Sequence, residues 1–97
     1  MIIVQETFVC KPGNASKLAK LFKEWMVANG EVIHVLTDMT GQYHRLIIMS
    51  QFENLAMYEE SFKKWANPTP EMKEMTEKFS QMNEMYTEGG REIYKVW

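Results

Sequence analysis

An α+β domain in two layers, an antiparallel four-stranded sheet with helices on one face, is what these 97 residues predict. Three observations carry that reading. Apolar, β-branched stretches of strand length occur four times. Between them, large apolar residues recur at helical spacing. The two patterns follow the order β, α, β, β, α, β. With each β-α-β crossing right-handed, this is the ferredoxin-like arrangement, βαββαβ.

Met1 to Cys10 is the first strand, apolar at both ends with Gln5, Glu6 and Thr7 inside it. Lys11-Pro12-Gly13 ends it, because proline lacks a ladder N–H and glycine permits the turn. Asn14 is placed to cap a helix whose stripe is Leu18, Leu21, Phe22 and Trp25. Asn29-Gly30 is its stop. Glu31–Thr37 and Tyr43–Phe52 form a hairpin across the turn residues Asp38 to Gln42. Asn54 caps a second helix carrying Leu55, Tyr58, Phe62 and Trp65, which Asn67-Pro68-Thr69-Pro70 breaks. Thr69 and Pro70 then start a further helix with Met72, Met75, Phe79, Met82 and Tyr86 on its apolar face. Gly89-Gly90 is expected to end it, and Arg91–Trp97 is the last strand.

Composition narrows the function classes. Lys and Arg number 11 against 13 Asp and Glu, a formal net charge of -2. That balance offers no field for a polyanion, so nucleic acid is not the expected ligand. No apolar run approaches the roughly 20 residues of a membrane span. A single cysteine, Cys10, excludes an internal disulfide and fits a reducing compartment. With no signal peptide at Met1–Glu6, a cytoplasmic protein is expected.

The sheet carries apolar residues on both faces. Ile2, Val4 and Phe8 oppose Ile3 and Val9; Ile47 and Met49 oppose Leu46 and Ile48; Val32 and Leu36 are expected to oppose Ile33 and Val35. Helices on one side would leave the other as an apolar patch. A second copy of the chain is the economical cover, so a homodimer through the open sheet face is expected.

Three stretches resemble the dimeric α/β-barrel superfamily, in its NIPSNAP-like and antibiotic-biosynthesis-monooxygenase-like forms. They are Phe8-Val9-Cys10-Lys11-Pro12-Gly13, Ile47-Ile48-Met49-Ser50-Gln51-Phe52-Glu53-Asn54-Leu55-Ala56, and Gly90-Arg91-Glu92-Ile93-Tyr94-Lys95-Val96. The resemblance implies a cleft between each sheet and its own helices, or within the shared barrel. It also implies chemistry ranging over cofactor-free monooxygenases, haem-degrading monooxygenases and small isomerases. The haem-degrading members combine an asparagine, a tryptophan and an axial histidine on the second helical region. Trp65 lies in that region, but no histidine follows His44, so those roles are not carried over.

The candidate chemistry is therefore a small polar set. His34 and His44, both in the hairpin, are the catalytic candidates, since histidine suits proton transfer near neutral pH. The bland alternative is an ordinary surface histidine. Tyr43, Arg45, Glu6, Trp65 and Tyr94 are the substrate-binding candidates; an intersubunit or cross-strand charge pair, such as Glu6 with Arg45, is the plainer reading of the polar ones. Trp25, Trp65, Tyr58 and Phe62 read first as core and second as the wall of an aromatic pocket. The Met-x-x-Met pairs, Met72/Met75 and Met82/Met85, read as core packing before thioether ligation. No metal or cofactor is expected. A small apolar or aromatic molecule is the expected ligand, with a non-catalytic dimerisation module as the alternative.

Overall fold

Nine residues of extended backbone, β1 (Ile2–Cys10), form one of the two inner strands of a four-stranded antiparallel sheet. The spatial order is β2-β3-β1-β4, where β2 is Val32–Thr37, β3 is Arg45–Phe52 and β4 is Tyr86–Lys95. Helices α1 (Ala15–Ala28), α2 (Leu55–Ala66), α3 (Pro70–Lys78) and the single turn α4 (Met82–Met85) complete the chain. This is the ferredoxin-like α+β fold. The computed structural model describes residues 1–28, 30–41 and 43–97, without the side chains of Ala28 and Trp65. The expected stop at Asn29 and turn residue Gln42 lie outside the described residues.

Register assigns the faces. Glu6 of β1 pairs with Ile48 of β3 and Arg91 of β4; Phe8 pairs with Leu46 and Gly89. Directly opposed residues share a face. The even-numbered residues of β1 and β3 therefore form one surface, and Val4, Phe8, Cys10, Leu46, Ile48 and Phe52 on it are buried. Leu18 and Phe22 of α1 are buried against this surface. The odd-numbered residues Ile3, Gln5, Thr7, Val9, Arg45, Ile47, Met49 and Gln51 face the other way and are half-buried.

Local chemistry starts α2 and α3 as expected, with side-chain caps at Asn54 and Thr69, while the bond seen at the start of α1 is a backbone one. The Asn14 carbonyl accepts from Leu18 N–H at 2.9 Å, at the N-terminal boundary of α1. The Asn54 side chain accepts from Met57 N–H at 2.9 Å, and the Thr69 hydroxyl from Met72 N–H at 3.3 Å with Pro70 behind it.

Five expectations are corrected. The last helix does not run to Tyr86. At Phe79 the backbone N–H is shared between the Met75 and Thr76 carbonyls, each at 3.2 Å, and α3 ends at Lys78. Its ring turns onto Phe22, centroids 5.0 Å apart, so a core contact stops a helix that the local sequence would continue. Gly89-Gly90 consequently lies inside β4, where the Gly89 position is covered by the rings of Phe8 and Tyr86, 4.9 Å apart. The second hairpin arm starts at Arg45, not Tyr43, because His44 takes a left-handed φ of 61° and Asp38 Oδ1 accepts from Arg45 N–H at 2.8 Å. An irregularity between Val32 and His34 shifts the β2 register. It puts Val32 and Val35 on the helix side, opposite Ser50 and Ile48, and Leu36 on the open side, opposite Ile47. Finally, Glu6 and Arg45 lie on opposite faces of the sheet and do not pair within the chain.

α2 docks through aromatic contact. Tyr58 packs on Phe52 and on Phe62, centroids 5.0 Å apart in each pair. Its hydroxyl is buried without a hydrogen-bond partner among the described residues. Burial pushes its pKa up, the Arg91 guanidinium pulls it down, and the Glu6 carboxylate pushes it up, with a net rise.

Two outcomes follow. Leu18, fully buried, becomes a cavity in Leu18→Ala, with an expected loss of about 2–5 kcal/mol in urea unfolding at constant slope. Tyr58→Phe removes a buried hydroxyl that has no partner, so stability at pH 7 is expected to hold or rise. A raised phenol pKa gives stability that is complete below the unfolded value near about 10 and lost as pH rises through the folded one. The alkaline loss of stability, followed by urea midpoints above about pH 10, is therefore expected to be shallower in Tyr58→Phe.

Candidate functional site

Between the sheet, α1 and the α3–α4 segment lies a cavity of about 260 Å³. Glu6 and Phe8 of β1 form its floor, Phe22 and Trp25 of α1 one wall, and Met75, Thr76, Phe79 and Met82 the other. Phe22 joins the aromatic walls: its ring is 5.7 Å from Phe8, 5.8 Å from Trp25 and 5.0 Å from Phe79. Each residue arrives by a local rule. The strand period of two brings Glu6 and Phe8 to one face, and the helical spacing of Phe22 and Trp25, or of Met75 and Phe79, brings each pair to one side. Outside the cavity, Lys78 Nζ lies 3.1 Å from Glu24 Oε2 and joins α3 to α1. Half exposed at both ends, that pair adds roughly 0–1 kcal/mol.

Glu6 is the one charged residue among the lining side chains. Its side chain is 31% exposed, and its ion partner is Arg91, with Nη2 to Oε2 at 3.6 Å. That is an ion pair without a hydrogen bond. The Arg91 guanidinium instead lies over the rings of Tyr58 and Phe62, at 5.9 and 5.5 Å from their centroids. Glu6 thus stands between an aromatic cavity on its α1 side and an arginine held on aromatic faces on its α2 side. Ionised, it only accepts hydrogen bonds, and it is the group on this wall able to take a proton.

Among the described catalytic and substrate-binding candidates, the structure brings Glu6 to this cavity, and Trp25, the second-choice pocket wall, lines it as well. His34 is exposed on the open face, paired with Met49. His44 sits in the hairpin turn beside the Tyr43 ring, centroids 6.2 Å apart. Met49 lies five residues along the chain from His44, on the order of 15 Å of strand, so the two histidines do not form one site. Tyr43 is 80% exposed. Arg45 is on the open face, its buried Nε without a hydrogen-bond partner among the described residues. Tyr94 shares that face and donates its hydroxyl to Glu92, a bond that raises the phenol pKa. The Trp65 side chain lies outside the described residues.

Arg91 and Thr76 are not site candidates in the sequence, and Phe79 is legible there only as part of a helix's apolar face. A signal for the first was available: Glu6 falls between Val4 and Phe8 on the buried parity of β1, and a carboxylate there needs a cation across the strand. Cys10 is buried on the same face, and burial, then the Asp38 carboxylate, push its thiol pKa up. A raised thiol is a poor nucleophile. No three His, Cys, Asp or Glu side chains converge as a metal site, and no helix is long and apolar enough to cross a membrane, among the described residues.

No protein-family model matches the chain, and no curated protein does. Solved structures do. A NIPSNAP domain protein from Burkholderia xenovorans superposes with a TM-score of 0.78 at 9% identity, covering 100% of this chain and 95% of that one. A NIPSNAP family protein from Agrobacterium tumefaciens gives 0.78 at 16% identity, covering 97% and 90%. A protein from Deinococcus radiodurans, assigned to the antibiotic biosynthesis monooxygenases, gives 0.66 at 17% identity, covering 100% and 93%. At these identities the likeness is one of fold: the chain shares its ferredoxin-like α+β architecture with these NIPSNAP and monooxygenase structures.

Proposed function

We propose that this chain is a small-molecule-binding protein, a homodimer through its open sheet face, whose ligand is an aromatic or largely apolar molecule held in the helix-side cavity. The observation that carries the reading is the cavity itself: aromatic and thioether walls around a single carboxylate, the usual composition of a small-ligand site. Its 260 Å³ sets the size. An apolar void of about 150 Å³ holds benzene, so one ring with a short polar arm fits. α3 covers it with no buried residue of its own, which suits an element that opens for entry. Proton removal from a bound carbon or hydroxyl acid, as in an isomerase or a cofactor-free monooxygenase, would pass to Glu6. The monooxygenase names of some structural neighbours agree with this range of chemistry.

The dimer rests on the open face. Ile3, Val9, Ile47 and Met49 are half-buried there, with Leu36 40% and Tyr94 47% exposed, and no described element covers them. Two such faces together would enclose Arg45, His34 and Tyr94. The competing reading, a dimerisation module with no ligand, is favoured by this same face.

Indole titrated into the full chain is expected to raise the melting temperature, since saturation at 100 times Kd adds about 2.7 kcal/mol. Thr76→Phe, which puts a ring into the cavity from an exposed helix position, is expected to abolish the shift. The absence of a shift in the parent chain selects the module reading. Ile47→Glu buries a charge in the proposed interface, and light scattering at micromolar concentration is expected to report a dimer for the parent chain and a monomer for the variant.

A further inference from the structure

We infer that the helix-side cavity selects ligands whose polar end donates a hydrogen bond, an ammonium or hydroxyl group on a one-ring body, and rejects carboxylates, with Glu6 as the residue that discriminates. The inference rests on the cavity being the ligand site and adds the chemistry of the ligand's head.

Two polar side chains of the lining, Glu6 and Thr76, present acceptors, and Glu6 is the one that carries charge; the indole N–H of Trp25 is a neutral donor. Glu6 offers carboxylate oxygens, and no hydrogen bond to them is made by the described side chains. Thr76 donates its hydroxyl proton to the Met72 carbonyl at 2.9 Å, so toward the cavity it too is an acceptor. Arg91, the one cation near Glu6, is absent from the lining and is held over Tyr58 and Phe62 on the other side. A carboxylate ligand would therefore set acceptor against acceptor and negative charge against negative charge, in surroundings of low polarity. That is how a site excludes the wrong ligand. An ammonium would gain twice, from Glu6 and from the faces of Phe8, Phe22, Trp25 and Phe79. A hydroxyl would gain the hydrogen bond alone.

The test uses three probes on one skeleton: phenethylamine, 2-phenylethanol and phenylacetate, each titrated calorimetrically into the full chain at pH 7. The amine and the alcohol are expected to bind at least about tenfold more tightly than the acid, the order of discrimination a mismatched polar group imposes. Glu6→Gln is expected to shrink that gap to within about threefold, by removing the charge and adding donors. Arg91→Gln is expected to leave the order of the three probes as it is, with circular dichroism verifying that both variants fold. Phenylacetate binding as tightly as the amine overturns the inference and leaves the cavity standing as a ligand site. Phenylacetate losing its binding in Arg91→Gln would assign the head group to Arg91 instead and overturns it equally. If none of the three binds, the inference falls together with the cavity reading. These wild-type titrations decide the question even if a variant fails to fold.

Discussion

The pleat of β1 is the constraint on which the rest of this molecule depends. As an inner strand it is paired on both edges, so its side chains have only two places to go. Even positions lie under the helices and odd positions lie on the open face. A slip of one residue would send Val4 and Phe8 out and Gln5 and Thr7 in. Pairing with β3 and β4 at once forbids that slip, and it also fixes Glu6 on the buried side, directly opposite Arg91.

A carboxylate on that side is costly unless it is paired. The fold answers with Arg91, but loosely, through an ion pair too long for a hydrogen bond. Tyr58 adds a buried hydroxyl that has no hydrogen-bond partner among the described residues. Surrounding residues are otherwise rings, thioethers and aliphatic chains that would make an ordinary core. The space between Phe8, Phe22, Trp25 and Phe79 stays open because α3 stops at Lys78 and α4 restarts at Met82, so this covering layer is two short pieces joined by a turn.

The open face belongs to the same pleat. Gln5 and Thr7 sit among Ile3, Val9, Ile47 and Met49, a mixture neither as polar as a solvated sheet nor as dry as a core. The strand irregularity in β2 changes its balance, moving Val32 to the helix side and leaving Leu36 outside. One residue of extra backbone thus alters the interface expected of the sheet as well as the core beneath α1.

By itself the sequence determined the class of fold, the order of its elements, the caps at Asn54 and Thr69, and the apolar character of both sheet faces, because each follows from local periodicity and from short-range hydrogen bonding. Only the tertiary structure decided where α3 ends, that Gly89 and Gly90 belong to a strand, which way Val32 points, and that Glu6 answers Arg91 and not Arg45. Those outcomes turn on contacts between residues far apart in the chain. Phe79 leaves its helix for Phe22, and Phe8 and Tyr86 close over Gly89, choices that no window of neighbouring residues contains. The same holds for the cavity, which exists only once β1, α1 and the α3–α4 segment have met.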